Sequence, residues 1–297
     1  MSAFDISKIG QPTDFSTSAL EAEAGIAYAK ATNDTIALHL DGTYMPPIFG
    51  VVPVWEKVFE VVSGVVPEEH FFSVVHGEQD MIFHKPLKSG IELKSRATGQ
   101  SVSLKDSGTT LVVKSESFDN ETDELVLEQY FTMFFRGVNG ENSVGEPHDM
   151  GIDLDLYKTE IERSEESENF VAKVQVHFDD DQTFRYAQAS GDFMPIHIDE
   201  EFAKSVGLPG MIIHGLCTMA AASWAAIQEL CESDPTKLTR IAVRFSKPLR
   251  PGDDLVTRFY RDDSLENEGS CLTYFLSSNR VSDGEMILTK ALVEVIK

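Results

Sequence analysis

The sequence predicts an α+β fold in which one plan, several strands around a single long helix, occurs twice. Apolar and polar residues alternate over nine segments of strand length, and two apolar segments of helical length stand among them. Short stretches of the first half also recur in the second half in the same order. The 297 residues suffice for two domains of about 150 residues each.

The internal repeat is visible in two pairs of segments. Residues 28–34 (YAKATND) parallel residues 186–192 (YAQASGD), and residues 83–90 (FHKPLKSG) parallel residues 245–252 (FSKPLRPG). The two offsets, 186 − 28 = 158 and 245 − 83 = 162, are nearly equal. Two ordered matches at such offsets are not expected by coincidence, so the sequence predicts a duplication with small insertions.

The first half begins with a helical patch, predicted over Ser18–Thr32. Its central helix is predicted over Met45–Val62, where Pro53 is compatible with a helix only near the start. Asp106, Ser107 and Gly108 mark a hairpin turn. Four strands rich in Val, Ile, Phe and Thr are predicted over Phe72–His84, Ile91–Leu104, Thr109–Phe118 and Leu125–Phe135.

The second half repeats this plan. Its central helix is predicted after Gly215, because apolar residues recur at steps of three and four from Leu216 to Ile227 with alanines between them. Turn residues at 267–269 (NEG) and at 282–284 (SDG) separate the last three strands. The strands are predicted over Phe170–Phe178, Leu238–Phe245, Asp254–Arg261, Cys271–Ser278 and Met286–Ile296.

Residues 138–169 lie between the halves and are rich in Gly, Asn, Asp and Glu. Five glutamates stand close together within this segment, at 160, 162, 165, 166 and 168. The favoured interpretation is a solvated linker. The predicted organisation is therefore an N-terminal half at 1–137, an acidic linker at 138–169 and a C-terminal half at 170–297.

Charge and cysteine content restrict the function classes. The chain has 49 acidic and 25 basic residues, a formal net charge of −24, and nucleic acid is disfavoured as a partner because phosphate contacts need a basic surface. Cys217, Cys231 and Cys271 do not form a disulfide framework, and no Cys/His spacing indicates zinc. The default location is a reducing cytoplasm.

The sequence lacks the patterns that indicate membrane insertion, secretion or peroxisomal import. No apolar run of 18 residues indicates a transmembrane helix, so no membrane association is predicted. The first 15 residues lack the basic and apolar regions of a secretory signal, and the C-terminus lacks a peroxisomal SKL-type signal. These observations agree with the cytoplasmic prediction.

The stretch 190–197 (SGDFMPIH) is suited to acid–base chemistry. Gly191 permits a turn that a Cβ would hinder, and Pro195 restrains the residue before it. Asp192 and His197 therefore lie on a stiff connection, where a carboxylate and an imidazole could share and activate one water. Alternatively, Asp192 caps a helix and His197 is a core residue. The apolar helix that starts with His214 and Gly215 favours the catalytic interpretation.

Gly215 is a candidate for binding an anionic group. Backbone N–H groups in the first turn of a helix have no intrahelical partner, and the helix dipole favours negative charge there. A glycine at this position lets a ligand approach those groups closely. The arrangement suits a developing oxyanion, such as the carbonyl oxygen of a reacting thioester. No metal or redox cofactor is implied.

The residues around Asp192 resemble the hydratase 2 motif of the MaoC-like family, the (R)-specific 2-enoyl-CoA hydratases with hot-dog folds. The chain is also similar to the hydratase domains of peroxisomal multifunctional enzymes type 2. It implies a double hot-dog fold. The residues that carry it are Tyr186, Ala189, Ser190, Gly191, Asp192, Met194, Pro195, Ile196 and His197, with Ala203 farther along the chain.

The resemblance also implies roles for residues of the second half. Asp192 and His197 match the catalytic pair, Gly215 matches the glycine that binds the thioester, and Phe245 matches a residue beside the acyl-CoA. The family usually has Asn at the position of Met194, so this chain differs next to the catalytic pair. Met194 is therefore a candidate for contact with the substrate.

In the first half, the resemblance implies contacts with CoA. Val75-His76-Gly77-Glu78-Gln79 is similar to a family segment whose His and Gly contact CoA, which selects His76 and Gly77. Lys105 falls where the family places a CoA-contacting lysine, although an exposed solubilising lysine is an alternative. A weaker basic cluster near Pro248 contains Arg244, Lys247 and Arg250.

The first half lacks the Pro-x-His that follows Asp192 in the second half. We therefore predict that it has no acid–base pair and that each chain has one active site. The connection from Asp34 to Gly50 is 16 residues, against 23 from Asp192 to Gly215. The shorter connection could leave room for an acyl chain.

The leading hypothesis is reversible hydration of a trans-2-enoyl-CoA to a 3-hydroxyacyl-CoA, with (R) stereochemistry implied by the resemblance. His197 is favoured as the base because the reference pKa of histidine, about 6.5, lies near working pH, although the roles of Asp192 and His197 could be reversed. A hot-dog thioesterase and a non-catalytic acyl-CoA-binding or assembly subunit are the alternatives. A homodimer is possible, although a double hot-dog is already a pseudo-dimer.

Overall fold

The computed structural model describes residues 4–262 and 271–297. Its contacts divide the chain into two compact units. Of the described residues, the first unit contains 4–19, 53–85 and 91–151, and the second contains 20–52, 86–90, 152–262 and 271–297. The predicted turn at 267–269 lies outside the described residues.

The strands agree closely with prediction. All nine predicted strands are present, and their ends differ from the predicted ends by two residues at most. A tenth, short strand was not predicted. The strands are β1 Ser16–Ala19, β2 Val74–Phe83, β3 Glu92–Lys105, β4 Gly108–Asp119, β5 Leu125–Arg136, β6 Phe170–His177, β7 Leu238–Phe245, β8 Asp254–Arg261, β9 Cys271–Arg280 and β10 Met286–Ile296.

The α-helices include the two predicted central helices, α3 and α8, and several short ones around the candidate site. None of the helices in the described ranges is long and apolar enough to cross a membrane. The helices are α1 Ala22–Ala31, α2 Ala37–Leu40, α3 Trp55–Val65, α4 Leu154–Arg163, α5 Gln182–Ser190, α6 Pro195–Ile198, α7 Glu200–Ser205 and α8 Gly215–Leu230.

Two predicted helices have different starts. The patch predicted over Ser18–Thr32 begins as β1, which pairs with β3, and becomes helical only at Ala22. The helix predicted over Met45–Val62 begins as a 3-10 segment, Pro47–Val54, and becomes α-helical at Trp55. Pro53 thus lies before the α-helix, because its missing N–H and its ring oppose an interior position.

The first unit is a five-stranded antiparallel sheet with α3 packed against it. The strand order is β1-β3-β4-β5-β2. Helix α3 lies on β3 and β4. Its buried residues Val58, Val61, Val62 and Val65 recur at steps of one, three and four, which gives the helix one apolar face. The predicted hairpin turn at 106–108 joins β3 to β4, since Lys105 pairs with Gly108.

The second unit has the same plan, with the strand order β7-β10-β9-β8-β6. Helix α8 packs on this sheet and is buried over most of its length. Its alanines at 220, 221, 222, 225 and 226 are all buried. Small side chains let the helix lie close to the sheet, which places its first residues beside the end of β7.

The second unit also contains α1 and α2, although residues 1–137 were predicted to form one half. Helix α1 packs against α5, its counterpart in the repeat. The hydroxyl groups of Tyr28 and Tyr186, which are 158 residues apart, lie 3.0 Å from each other. Both tyrosines are fully buried, so the two copies of the repeated segment share one core.

Residues 138–169 were predicted to form a solvated linker, and this prediction is wrong for the C-terminal part of the segment, from Asp153 onward. Helix α4 forms there, and the side chain of Asp153 caps it by accepting two backbone N–H groups. Tyr157 is 4% exposed, packs on Tyr260 and Phe275, and donates its hydroxyl to the carbonyl of Leu276 at 3.2 Å. The apolar residues of α4 have helical spacing, but the many glutamates around them make this pattern hard to recognise in the sequence.

Candidate active site

The turn after α5 positions the candidate acid. The hydroxyl of Ser190 donates to the carbonyl of Tyr186 at 2.8 Å, and the N–H of Gly191 donates to the carbonyl of Ala187 at 2.9 Å. Gly191 has φ +77°, a left-handed conformation that glycine adopts without a Cβ penalty. The turn predicted at this glycine is therefore present.

Asp192 is half-buried, and a local hydrogen bond holds its carboxylate. Its Oδ1 accepts the backbone N–H of Met194 at 3.1 Å. Met194 is extended, with ψ 130°, as expected for a residue before proline, and Pro195 is the first residue of α6. This stiff connection leads directly to His197.

His197 is 8% exposed, and a backbone carbonyl fixes its tautomer. Its Nδ1 lies 2.8 Å from the carbonyl oxygen of Ile212. Because a carbonyl only accepts, Nδ1 must carry the proton, and Nε2 is left with a lone pair. Burial lowers the pKa of His197, while the charge of Asp192 opposes that shift. The imidazole is thus a neutral proton acceptor near neutral pH.

A third side chain, His214, lies against both of these groups. Its Nε2 donates to the backbone carbonyl of Asp192 at 3.0 Å, and its ring stacks on that of His197 with centroids 3.7 Å apart. It is 1% exposed, and burial, with a further contribution from His197, lowers its pKa to about 3. His214 is not among the site residues predicted from the sequence, although it directly precedes Gly215.

Ligand atoms of Asp192, His197 and His214 lie within 4.8 Å of one another. A carboxylate and two imidazoles in this arrangement could hold a transition-metal ion. The same arrangement can hold one water between a carboxylate and a neutral imidazole, which is the requirement for proton transfer.

Gly215 and Phe245 lie side by side. Gly215 is the first residue of α8, with His214 as its N-cap, and it is half-buried. A Cβ built on Gly215 would lie 3.2 Å from a ring carbon of Phe245, closer than ordinary contacts. A larger residue at 215 would require the Phe245 ring to shift by a few tenths of an ångström. The N–H of Gly215 is in the helix turn whose N–H groups lack intrahelical partners.

Apolar side chains adjoin the acid. Phe193 is 50% exposed and Met194 is 37% exposed. The backbone N–H of Met194 donates to the carboxylate of Asp192, and the residue is exposed. Burial of such a surface by a ligand would be favourable, at about 25 cal/mol for each Å² of apolar area.

The residues assigned to CoA by resemblance lie in the first unit. His76 is on β2, its Nε2 donates to Gln79 at 3.0 Å, and its ring stacks on Phe131. Burial lowers the pKa of His76 to about 4. Gly77 lies at an irregularity in the β2–β5 pairing, and Lys105 is exposed at the end of β3. A neutral His76 can contact a ligand by hydrogen bonding but not by charge.

The weaker basic cluster is paired with acids. The ammonium group of Lys247 lies 3.4 Å from Glu285, and the guanidinium of Arg250 lies 3.9 Å from Glu200. Arg244 is exposed on β7. Ion pairs of this kind reduce the positive potential available to a phosphate.

The repeat extends farther than the sequence comparison indicated. At an offset of 158, α2 corresponds to α6, and Asn33, with φ +56°, corresponds to Gly191. The side chain of Asp34 accepts the N–H two residues later at 2.8 Å, as Asp192 does at 3.1 Å. Residues 28–40 thus have the local structure of residues 186–198.

His39 is the counterpart of His197 in this comparison, since 197 − 39 = 158. The prediction that the first half has no acid–base pair is therefore wrong. The pair Asp34–His39 has the same spacing as Asp192–His197, but it lacks the proline two residues before the histidine on which the prediction depended. Ala37 stands where the second copy has Pro195.

The two pairs differ in what the histidine contacts. Nδ1 of His39 lies 2.7 Å from Oδ2 of its own aspartate, whereas Nδ1 of His197 faces the carbonyl of Ile212. Asp34 is 6% exposed and His39 is fully buried. Nε2 of His39 has no hydrogen-bond partner in the described part of the chain. In the first copy the acid and the imidazole satisfy each other, and no water can lie between those two atoms.

The chain is similar in sequence to proteins of known families. The model of the MaoC like domain matches residues 162–271, and that of the MFE-2 hydratase 2 N-terminal domain matches residues 39–137. The chain is 26% identical over 259 residues to probable enoyl-CoA hydratase 2 of Dictyostelium discoideum, covering 84% of this chain and 81% of the relative. It is 26% identical to peroxisomal multifunctional enzyme type 2 of Mus musculus over 84% of this chain but only 32% of that protein.

Solved structures agree with the predicted fold. A MaoC-like dehydratase from Phytophthora capsici superposes with a TM-score of 0.80 at 22% identity, over 99% of each chain. A Mycobacterium tuberculosis protein described as a double hot-dog fold superposes with a TM-score of 0.62 at 14% identity, over 97% of this chain and 96% of that chain. The predicted double hot-dog fold is confirmed. The two matched models cover most of both halves in the expected order, so the chain contains a MaoC like domain preceded by an MFE-2 hydratase 2 N-terminal domain.

Proposed function

We propose that this protein catalyses the reversible, (R)-specific hydration of trans-2-enoyl-CoA to 3-hydroxyacyl-CoA. One observation carries the proposal most directly. The bond between Nδ1 of His197 and the carbonyl of Ile212 leaves Nε2 as a proton acceptor in the cluster that contains Asp192. The name of the Dictyostelium relative, probable enoyl-CoA hydratase 2, supports the same reaction.

The proposed mechanism places one water between Asp192 and Nε2 of His197. The carboxylate accepts a hydrogen bond from one hydrogen of the water and orients it. Nε2 removes the other hydrogen as the oxygen bonds to C3, and the π electrons of the C2–C3 bond move towards the thioester carbonyl. The resulting imidazolium then gives its proton to C2. The water is thus divided into a hydroxyl on C3 and a hydrogen on C2, and His197 returns to its starting state.

The start of α8 is suited to the charge that develops on the thioester oxygen. The N–H of Gly215 points from the first turn of the helix, where the dipole is positive. Stabilisation of an enolate oxygen by such a preorganised donor lowers the barrier to addition at C3. Gly215 therefore has the role of the thioester-binding residue.

We assign the remaining contacts as follows. Phe245 and Met194 contact the acyl part of the substrate, because they adjoin Gly215 and Asp192 respectively. His76, Gly77 and Lys105 contact CoA, an assignment that depends on the family resemblance. The N-terminal half then serves binding, and the C-terminal half serves catalysis.

The test is an assay of the conjugated enoyl thioester absorbance with crotonyl-CoA and with a longer trans-2-enoyl-CoA. Loss of this absorbance without release of free thiol supports hydration. Release of free CoA from a saturated acyl-CoA would instead identify a thioesterase. Thermal stabilisation by acyl-CoA without any turnover would identify a binding or assembly subunit.

The prediction of a cytoplasmic protein and of a possible homodimer extends this proposal. Microscopy of a fluorescent fusion in the source cells tests the first. Sedimentation of the purified protein tests the second. A protein that sediments as a monomer and turns over substrate would show that one chain suffices.

A further inference from the structure

His214 adjoins three parts of the proposed site, two through its side chain and one through the backbone. As the N-cap of α8, it directly precedes Gly215. Its Nε2 is bonded to the backbone carbonyl of Asp192, and its ring is stacked on His197 at 3.7 Å. The candidate acid, base and thioester-binding glycine come from three separate elements, and one residue, His214, adjoins all of them.

The hydrogen bond of His214 fixes the acid relative to the helix. Asp192 and His214 are 22 residues apart, and their bond is 3.0 Å long. This bond ties the turn that carries the carboxylate to the start of α8. A displacement of about 1 Å between reacting groups can cost about 100-fold in rate, so such a tie has a direct catalytic value.

The ring of His214 is placed to act on the charge state of His197. The two rings are nearly parallel, at 21°. Burial keeps His214 neutral, with a pKa of about 3. A neutral aromatic face is attracted to a cation, so it favours the imidazolium that forms when His197 takes a proton from water.

The polar atoms of His214 argue against a purely structural role. Its Nδ1 is buried and has no hydrogen-bond partner in the described ranges, which costs stability. A phenylalanine would supply the stacking without this cost, and a glutamine could supply the donor. A histidine supplies both the donor and the ring in one side chain.

We propose that His214 is a positioning residue for the hydration reaction, which holds the turn of Asp192 against the start of α8 and stabilises the protonated form of His197 with its ring face. The inference rests on the proposed hydratase function. It goes beyond the motif residues, because His214 lies outside the acid–base pair and acts through both of its members.

Two variants separate the two actions. His214→Phe keeps a ring beside His197 but loses the donor to Asp192. His214→Gln keeps a donor but loses the ring. We expect both to lower kcat by about 10-fold to 100-fold with little change in KM, because positioning affects the chemical step. The matched control is His177→Gln, at an exposed histidine on β6, which should leave kcat unchanged.

The decisive readout is NMR titration of the His197 imidazole in the substrate-free protein. In His214→Gln, the pKa of His197 should fall by about half a unit relative to the parent, as loss of a cation–aromatic contact requires. In His214→Phe it should stay near the parent value. Variants that lose thermal stability but keep the parent kcat and the parent His197 titration would overturn the proposal.

The parent protein provides a test that does not depend on how the variants fold. Nitrogen chemical shifts should show His214 neutral, with its proton on Nε2, from pH 7 down to about pH 4. A His214 that titrates near pH 6.5, or one protonated on Nδ1, would contradict the inference. If the parent lacked hydratase activity but showed these shifts and the His197 response, the proposed function alone would fail.

Discussion

At the scale of residues, one backbone carbonyl distinguishes two otherwise similar acid–base pairs. Asp34–His39 and Asp192–His197 have the same spacing, the same turn and the same carboxylate contact two residues later. In the second pair the carbonyl of Ile212 occupies Nδ1 of the imidazole, and Nε2 becomes available for a water. In the first pair the aspartate itself occupies Nδ1. The partner of one nitrogen therefore decides which pair can do chemistry.

The first prediction concerns the proposed catalytic pair. Asp192→Asn and His197→Gln should each lower the hydration rate by about 100-fold or more, since the first removes the carboxylate that orients the water and the second removes the group that transfers its proton. Both variants should keep the parent circular dichroism and a similar melting temperature. Near-parent turnover in either folded variant would exclude the two-residue mechanism.

The second prediction uses the other pair as a matched control. Asp34→Asn and His39→Gln make the same chemical changes in the first copy, and we expect kcat to stay within about twofold of the parent. Each change leaves a buried polar partner poorly satisfied, which typically costs about 1–3 kcal/mol of unfolding free energy. Urea unfolding and the enoyl-CoA assay measure the two effects, and a large loss of kcat would show that the first pair takes part in catalysis.

At the scale of elements, the proposed function depends on where α8 begins. The helix starts at Gly215, beside Phe245 and directly after His214, so its positive end faces the candidate site. Its alanine-rich middle keeps it close to the sheet. The short helices α5 and α6 place the acid and the base on the two sides of a proline-restrained connection. The second unit thus positions all of the proposed chemistry.

The third prediction compares two glycines in helices. Gly215→Ala places a methyl group 3.2 Å from Phe245, beside the N–H proposed for the thioester oxygen, and kcat/KM should fall by about 10-fold or more. Gly64→Ala in α3 meets no atom within 4 Å and should stabilise the protein by about 0.5–1 kcal/mol with unchanged kcat/KM. Equal kinetics for the two variants would remove Gly215 from the site.

At the scale of the whole molecule, buried neutral histidines link stability to pH. Burial lowers the pKa values of His76, His197 and His214 below the ordinary value of about 6.5. The unfolded chain therefore binds more protons than the folded protein once the pH falls below about 6.5. Since stability rises with pH wherever the unfolded state binds more protons, these groups destabilise the protein as it is acidified.

The fourth prediction follows from that sign. Between pH 6.5 and pH 5, His214 alone should lower the unfolding free energy by about 1.6 kcal/mol. The unfolded chain binds about half an extra proton at pH 6.5 and about one at pH 5, and one proton gives about 1.4 kcal/mol per pH unit. Most carboxyl groups stay ionised in this window, so they contribute little. Urea unfolding at several pH values measures the slope of the unfolding free energy against pH. His214→Phe should reduce this slope by the contribution of about one bound proton. An unchanged slope would mean that His214 is charged in the folded state.

The sequence was a good guide wherever chemistry is local. Alternation along the chain located nine strands to within two residues, because the period of side chains in a strand is fixed by backbone geometry. It was a poor guide for α4, where Tyr157 is buried among glutamates, and for β1, whose four residues are strand only through pairing with β3. The burial of α4 depends on contacts with residues about 100 positions away, which periodicity does not record.

By itself, the sequence determined the duplicated α+β plan, the turn at Gly191, and the order of Asp192, His197 and Gly215 along the chain. The tertiary structure decided which atoms these residues contact. It brought α1 and α2 into the second unit, set His214 against His197, and gave His197 but not His39 a backbone carbonyl for Nδ1. Hydrogen-bond partners are set by packing between distant segments, whereas turns and periodicity are set by neighbouring residues, and so only the latter can be read along the chain.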